Sequence, residues 1–197
     1  MVGVICYLVG RGVALGIKYK TQKQINWLEE VIKFLFVLYI FLVISVTMFP
    51  LALWIDLNLK NIKFHINLIP FVAIIKDVQQ IGTAYGGDAG FMLRLILRNV
   101  GGNILLLMPL GILSPIMWNK FKQYKNVVLL GFSISIGIEC IQFIELIAGG
   151  FGRAVDIDDV ICNVVGVMLG YIIYKFMFKI ADQFQITILQ NLNFKST

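Results

Sequence analysis

Long apolar stretches alternate with short polar ones along this chain, and five of them are extended enough to cross a bilayer: residues 1–17, 31–55, 100–118, 127–148 and 160–178. About 20 apolar residues in a helix span a hydrocarbon core of about 30 Å, so the pattern predicts transmembrane helices. The first stretch is the shortest and carries Arg11. Between the second and third lies a long loop, residues 56–99, in which NLIPFVAII and FMLRLILR are too apolar to stay solvated. They belong in the membrane interface or folded back on the bundle. The glycine-rich break GTAYGGDAG separates them, with Asp88 placed to cap a helix that begins near Gly90. The expected fold is all-α: a polytopic transmembrane helical bundle of about five spans, with a long outer loop containing interfacial helices. Residues 1–178 form a single transmembrane domain and residues 179–197 a cytoplasmic tail.

Composition agrees with this pattern. Of 197 residues, 59% are hydrophobic and 14% charged, with mean hydropathy +0.86, above the roughly 45–50% apolar usage of soluble domains. The N-terminal residues lack a basic region and a cleavage site, so they read as a span rather than a signal peptide. A net charge of +6 would also suit nucleic acid, but Lys18, Lys20 and Lys23, then Lys120, Lys122 and Lys125, then Lys175 and Lys179 all follow apolar stretches. That is the positive-inside pattern, and no nucleic-acid partner is expected. It puts the N-terminus outside, the C-terminus inside and the loop between spans four and five outside. Lys60, Lys63, Lys76, Arg94 and Arg98 oppose it, but they are spread through the long loop, where the rule is weak. Cys6, Cys140 and Cys162 lie in apolar sequence without CxxC spacing and read as small buried hydrophobes.

The polar residues inside the spans are the candidates for function, because such groups are costly in a bilayer unless they pair or face a cavity. In span four, Ser135, Glu139 and Gln142 share one helical face, with Glu139 about 13 Å below the outer end at about 1.5 Å per residue. The following loop, GRAVDIDD, brings Arg153, Asp156, Asp158 and Asp159. In span five, Asp159, Asn163, Gly166 and Gly170 recur on a single face whose small residues allow close helix approach. Span three opens with Asn99 and Asn103, four apart, and Pro109 frees a carbonyl near Leu105 at an expected kink. Arg94 and Arg98, also four apart, are possible phosphate contacts, to lipid or to a ligand. Arg11, Arg153, Asn103 and Asn163 are all candidate partners for Glu139, and spacing does not choose among them. Structural roles compete throughout: a hydrogen-bonded cluster that locks the bundle, or acids that suit the N-terminus of span five.

NLIPF at 67–71, NVGGNILLLMPLG at 99–111, IECIQ at 138–142 and RAVDIDDVICNVVG at 153–166 together resemble the VanZ-like membrane proteins in order and spacing. The resemblance implies a small multi-pass protein of the bacterial cytoplasmic membrane, related to one that lowers susceptibility to teicoplanin. Matched residue by residue, its polar positions are Asn103, Glu139, Gln142, Arg153, Asp156, Asp159 and Asn163. Three functions compete. The first is a non-enzymatic protein whose outward-facing polar pocket binds a lipid-linked or lipid-tailed amphiphile, with membrane lipids, a lipid-linked cell-wall precursor or a lipoglycopeptide as partners. The second is an intramembrane enzyme acting on a lipid phosphate, with Glu139 or Asp159 as acid or base, or the loop aspartates holding Mg²⁺. The third is a small lipid transporter or flippase. His65 is the only histidine, no Ser/His or Cys/His pairing is evident, and DIDD is shorter than a recognised metal loop. No cofactor or metal is therefore expected, and no residue is assigned as catalytic.

Overall fold

The computed structural model of the chain describes residues 2–20, 26–49, 65–148 and 154–185. Seven α-helices follow in order among them: α1 Val2–Lys20, α2 Trp27–Met48, α3 Val72–Gln79, α4 Ala89–Ile96, α5 Gly102–Met117, α6 Tyr124–Ile147 and α7 Ile157–Gln183. Four stretches are long and apolar enough to cross a membrane among the described residues: α2, α4 through α5 as one unit (Ala89–Met117), α6 and α7. The all-α membrane bundle is thus present, with one difference in count. The helix α1 forms where the first span was expected but is not among the four.

The second difference lies in the long loop. FMLRLILR is not a separate interfacial helix. Asp88 caps α4 by accepting from the Phe91 N–H at 2.9 Å, and α4 then passes through a π-helical turn, Leu97–Gly101, directly into α5. At the other end α7 continues to Gln183, past the expected end of span five, and Ala181 is fully buried.

Helix α7 sits in the middle of the bundle. Gly166 and Gly170 lie against the backbone carbonyls of Ile104 and Met108 on α5, and Gly111 of α5 lies against the Val167 carbonyl. Any side chain at these three positions would enter the facing backbone, which is why glycine recurs on this face. Around the seam, Val43, Leu107, Leu110, Val127, Ile138 and Val167 make the core. Large apolar side chains such as Leu42, Leu129, Ile144, Ile172 and Phe176 are exposed on the outer faces, as lipid-facing positions should be.

Helix α1 is tied to α2 by a bidentate ion pair in which Arg11 Nε and Nη2 each donate to the Glu30 carboxylate at 2.6 Å. Arg11 is therefore the partner of Glu30 and not of Glu139. At the lysine-rich end, Trp118 stacks edge-on with Phe36 and Phe121, and the Tyr171 hydroxyl donates to the Lys122 carbonyl at 2.7 Å. This places an aromatic belt around the short turn between α5 and α6.

Candidate functional site

The site is built where two loops meet above α7. Ile66–Asn67 and Val155–Asp156 pair as a two-residue parallel bridge, β1 with β2. The Asn67 amide donates to Asp156 Oδ1 at 2.8 Å, while its own carbonyl oxygen accepts from the Ile69 N–H at 3.3 Å. Phe71, just before α3, has φ 65°, a left-handed conformation that costs a non-glycine residue about 1–2 kcal/mol. Its N–H donates to Asp158 Oδ1 at 2.6 Å, which holds that turn against the start of α7. NLIPF is thus folded back onto the bundle through side chains of the DIDD segment.

Asp156 also caps α7, accepting from the Asp158 N–H at 2.8 Å. Burial, with the nearby charges of Asp158 and Asp77, pushes the Asp156 carboxyl above the usual aspartate range, although the bonds from Asp158 N–H and Asn67 favour the carboxylate. Beneath it, Glu139 is buried and its Oε2 accepts from the Asp156 N–H at 3.0 Å. One turn further along α7, Asp159 Oδ1 accepts from the Asn103 amide. Asn163, 1% exposed, donates to Ser135 Oγ at 2.9 Å. The polar faces read from helical spacing in α6 and α7 therefore meet each other and α5.

These elements enclose a cavity of about 500 Å³ at one end of the bundle, a volume within the range of small-molecule sites. Its polar lining is Asp77 of α3, Arg98 and Asn99 of the π turn, Asn103, Gln142, Asp156, Asp158 and Asp159, and Val46, Ile96 and Leu106 are among its apolar walls. Of the residues singled out in the sequence, Asn99, Asn103, Gln142, Asp156, Asp158 and Asp159 line the cavity directly. Glu139 and Asn163 lie below it and support it through Asp156 and Ser135. The two arginines separate, because the π turn begins between them: Arg98 faces the cavity and Arg94 is not among its lining. Arg153 lies outside the described residues.

The π turn contributes Arg98, Asn99 and Val100 to the cavity wall. Helix α5 runs through both Pro109 and Pro115, and near the first the Leu106 carbonyl accepts from the Tyr39 hydroxyl at 2.9 Å. Cys162 is buried at the cavity, as expected of a small hydrophobe, but Cys140 is exposed on α6. The Cys6 side chain is outside the described residues. Sequence spacing missed Asp77, which lies in an apolar amphipathic stretch with no motif around it. It also missed Asn67 as a structural partner of Asp156, although NLIPF stood out as a motif.

Geometry also bears on metal binding. Asp156 Oδ1 holds two donors, Asp158 Oδ1 the Phe71 N–H and Asp159 Oδ1 the Asn103 amide. No group of three or more acidic, His or Cys side chains among the described residues is arranged to hold an ion.

The segments that build this cavity, from the end of α2 through α7, fall within residues 36–179, and the VanZ/LLP1 family model matches that range. The chain belongs to the VanZ/LLP1 family. No curated relative and no solved structure matches it. The VanZ/LLP1 match begins inside α2, so α1 and its Arg11 lie outside the family region. All four motifs, and every residue lining the cavity, lie inside it.

Proposed function

We propose that this VanZ-like membrane protein binds the head group of a lipid-linked or lipid-tailed amphiphile in the cavity above α7, facing the outside of a bacterial cytoplasmic membrane, and so reduces the action of teicoplanin-type antibiotics. One observation carries the reading: polar side chains from α3, the π turn, α5, α6 and α7 converge on a single cavity that also has apolar walls, Val46, Ile96 and Leu106 among them. Leu68, Ile69 and Phe71 on the segment leading into α3, and Leu97 at the start of the π turn, are each more than half exposed, a surface suited to acyl chains. Asp156 and Asp159 orient the head group, Gln142 lines the floor, and Glu139 holds the Asp156 backbone from below. Arg98 supplies a cationic group at the cavity wall, and Arg153, outside the described residues, is the second cationic candidate from the sequence. Family membership supports the link to antibiotic resistance at the level of the family.

The test is saturable binding of teicoplanin, a lipopeptide or an isoprenoid phosphate to the purified protein, together with teicoplanin susceptibility of cells that express it. Asp159→Asn and Gln142→Leu are expected to weaken binding and restore susceptibility. Absence of saturable binding, with susceptibility unaffected by these substitutions, would refute the reading.

A further inference from the structure

The charge balance of the cavity says which end of a ligand enters it. Four carboxylates line it, from Asp77, Asp156, Asp158 and Asp159, against the single described cation Arg98. The N-terminus of α7 accounts for part of this, since acids suit the positive end of a helix dipole. It does not account for two acceptors. Asp158 is 3% exposed and its Oδ2 has no hydrogen-bond partner, and Gln142 Oε1 is likewise buried without one. Both residues line the cavity, one from α7 and one from α6. A buried acceptor left unmet is costly, and a carboxylate more so than an amide. What these atoms lack is a donor, and beside four acids the fitting donor carries positive charge.

A compact metal ion does not match, because the acceptors are spread over three helices and form no ligand cluster among the described residues. An organic ammonium does. It brings positive charge and up to three N–H donors, needs no closed set of ligands, and fits within about 500 Å³. Arg98, exposed in the π turn, is placed for an anionic group next to that ammonium. The apolar side chains of Val46, Ile96 and Leu106 line the same cavity, and Val46 is also exposed on α2.

Building on the proposed amphiphile-binding role, we infer that the cavity takes a primary ammonium group, held by Asp158 Oδ2 and Gln142 Oε1 among the four aspartates, with Arg98 placed for an anionic group where the ligand carries one. Bilayer lipids and soluble amines both carry this group, and the arms of the experiment separate the two sources.

The full-length protein in a non-ionic detergent is titrated with dodecylammonium, dodecyl phosphate and free ethanolamine. It is also reconstituted in nanodiscs of phosphatidylglycerol with and without phosphatidylethanolamine, where dodecylammonium is the competed probe. Saturable binding of dodecylammonium is expected, with competition by phosphatidylethanolamine if the ligand is a bilayer lipid and by free ethanolamine if it is a soluble amine. Asp158→Asn keeps an acceptor oxygen for the Phe71 N–H while removing the charge, so it should fold and yet weaken dodecylammonium binding by about tenfold or more, the usual scale for losing a charged partner. Asp88→Asn, which removes a charge from the exposed cap of α4, should leave binding unchanged. Should Asp158→Asn fail to fold, as judged by gel filtration and circular dichroism, Gln142→Leu serves as the second variant, with the same expected loss. Saturable binding of dodecyl phosphate that is lost in Arg98→Gln but indifferent to Asp158 and Gln142 would overturn the ammonium inference and leave the amphiphile role standing. Saturable binding of none of the probes would overturn both.

Discussion

At Asp156 one carboxylate serves as helix cap, as loop clamp through Asn67 and as a wall of the cavity. Its carboxyl is pushed upward by burial and by neighbouring acids, so the folded chain tolerates the neutral form better, relative to the charged one, than the unfolded chain does. That contribution is complete below the ordinary aspartate pKa of about 3.9 and is lost as pH rises through the higher folded value. Asp156→Asn retains an acceptor for both donors and carries no charge. It should be at least as stable as the native protein near pH 7, with the difference shrinking toward pH 4 in thermal denaturation in detergent. A variant clearly less stable near pH 7 would show that the charge itself supports the fold. The neighbouring Glu139 gives a complementary case. Glu139→Gln keeps an acceptor for the Asp156 N–H, whereas Glu139→Ala leaves that N–H without it and opens a gap beneath the cavity. The alanine variant should lose roughly 1–3 kcal/mol more than the glutamine variant, measured as a difference in unfolding midpoint.

Among the elements, α7 carries the most, since its first turn builds the site and its glycine face receives α5. Gly166→Ala or Gly170→Ala would set a methyl group into the carbonyl of Ile104 or Met108, so the helices must separate. Each should cost about 1–3 kcal/mol, the range for overpacked interiors, and disturb the Asn103 bond to Asp159 by moving α5. Gly137, with open space around its Cβ position, is the matched control on α6, and Gly137→Ala should leave the melting temperature nearly unchanged. The pair that docks α1 allows a different test. Arg11→Ala removes the bidentate partner of the Glu30 carboxylate, which is 8% exposed, and leaves it the longer ion pair to Lys33 at 3.7 Å, whereas Arg11→Glu with Glu30→Arg restores opposite charges. Arg11 is 30% exposed, which limits the loss in the single variant to about 1 kcal/mol, and the double exchange should recover most of it in the same melting assay.

For the whole molecule, the matter to test is which way the bundle faces. The orientation we propose rests on Lys120, Lys122 and Lys125 in the short α5–α6 turn, and it puts the cavity outside whether or not α1 crosses the bilayer, because α2 through α7 alone fix the alternation. With Cys6, Cys140 and Cys162 replaced by serine, a cysteine at Ala154, exposed beside β2, should react with a membrane-impermeant maleimide in intact cells. A cysteine at Lys122 should react only after permeabilisation. The reverse pattern would put the cavity on the cytoplasmic side and remove direct access by an extracellular antibiotic.

Hydropathy alone determined that the chain is a bundle of membrane helices, because covering apolar side chains with lipid needs no knowledge of which helix lies beside which. Helical periodicity likewise identified Ser135, Glu139 and Gln142, and Asp159 and Asn163, as polar faces, since positions three or four apart lie together in any α-helix. Asp88 as a cap was legible for the same local reason. The partners of these faces were not. Glu139 had four candidates in the sequence, and among the described residues it accepts from a backbone N–H, a donor that every residue but proline carries and that no residue letter marks. Arg11 found Glu30, Asn67 found Asp156 across 89 positions, and Asp77 joined the cavity from a helix without a motif. The π turn that parts Arg98 from Arg94 is a difference in backbone hydrogen bonding within an otherwise ordinary helical pattern. Composition and period report what a residue avoids, which here is lipid or water. What it touches depends on the packing of α5 against α7 and the return of residues 65–71 onto the start of α7, and those are decided only when the whole chain folds.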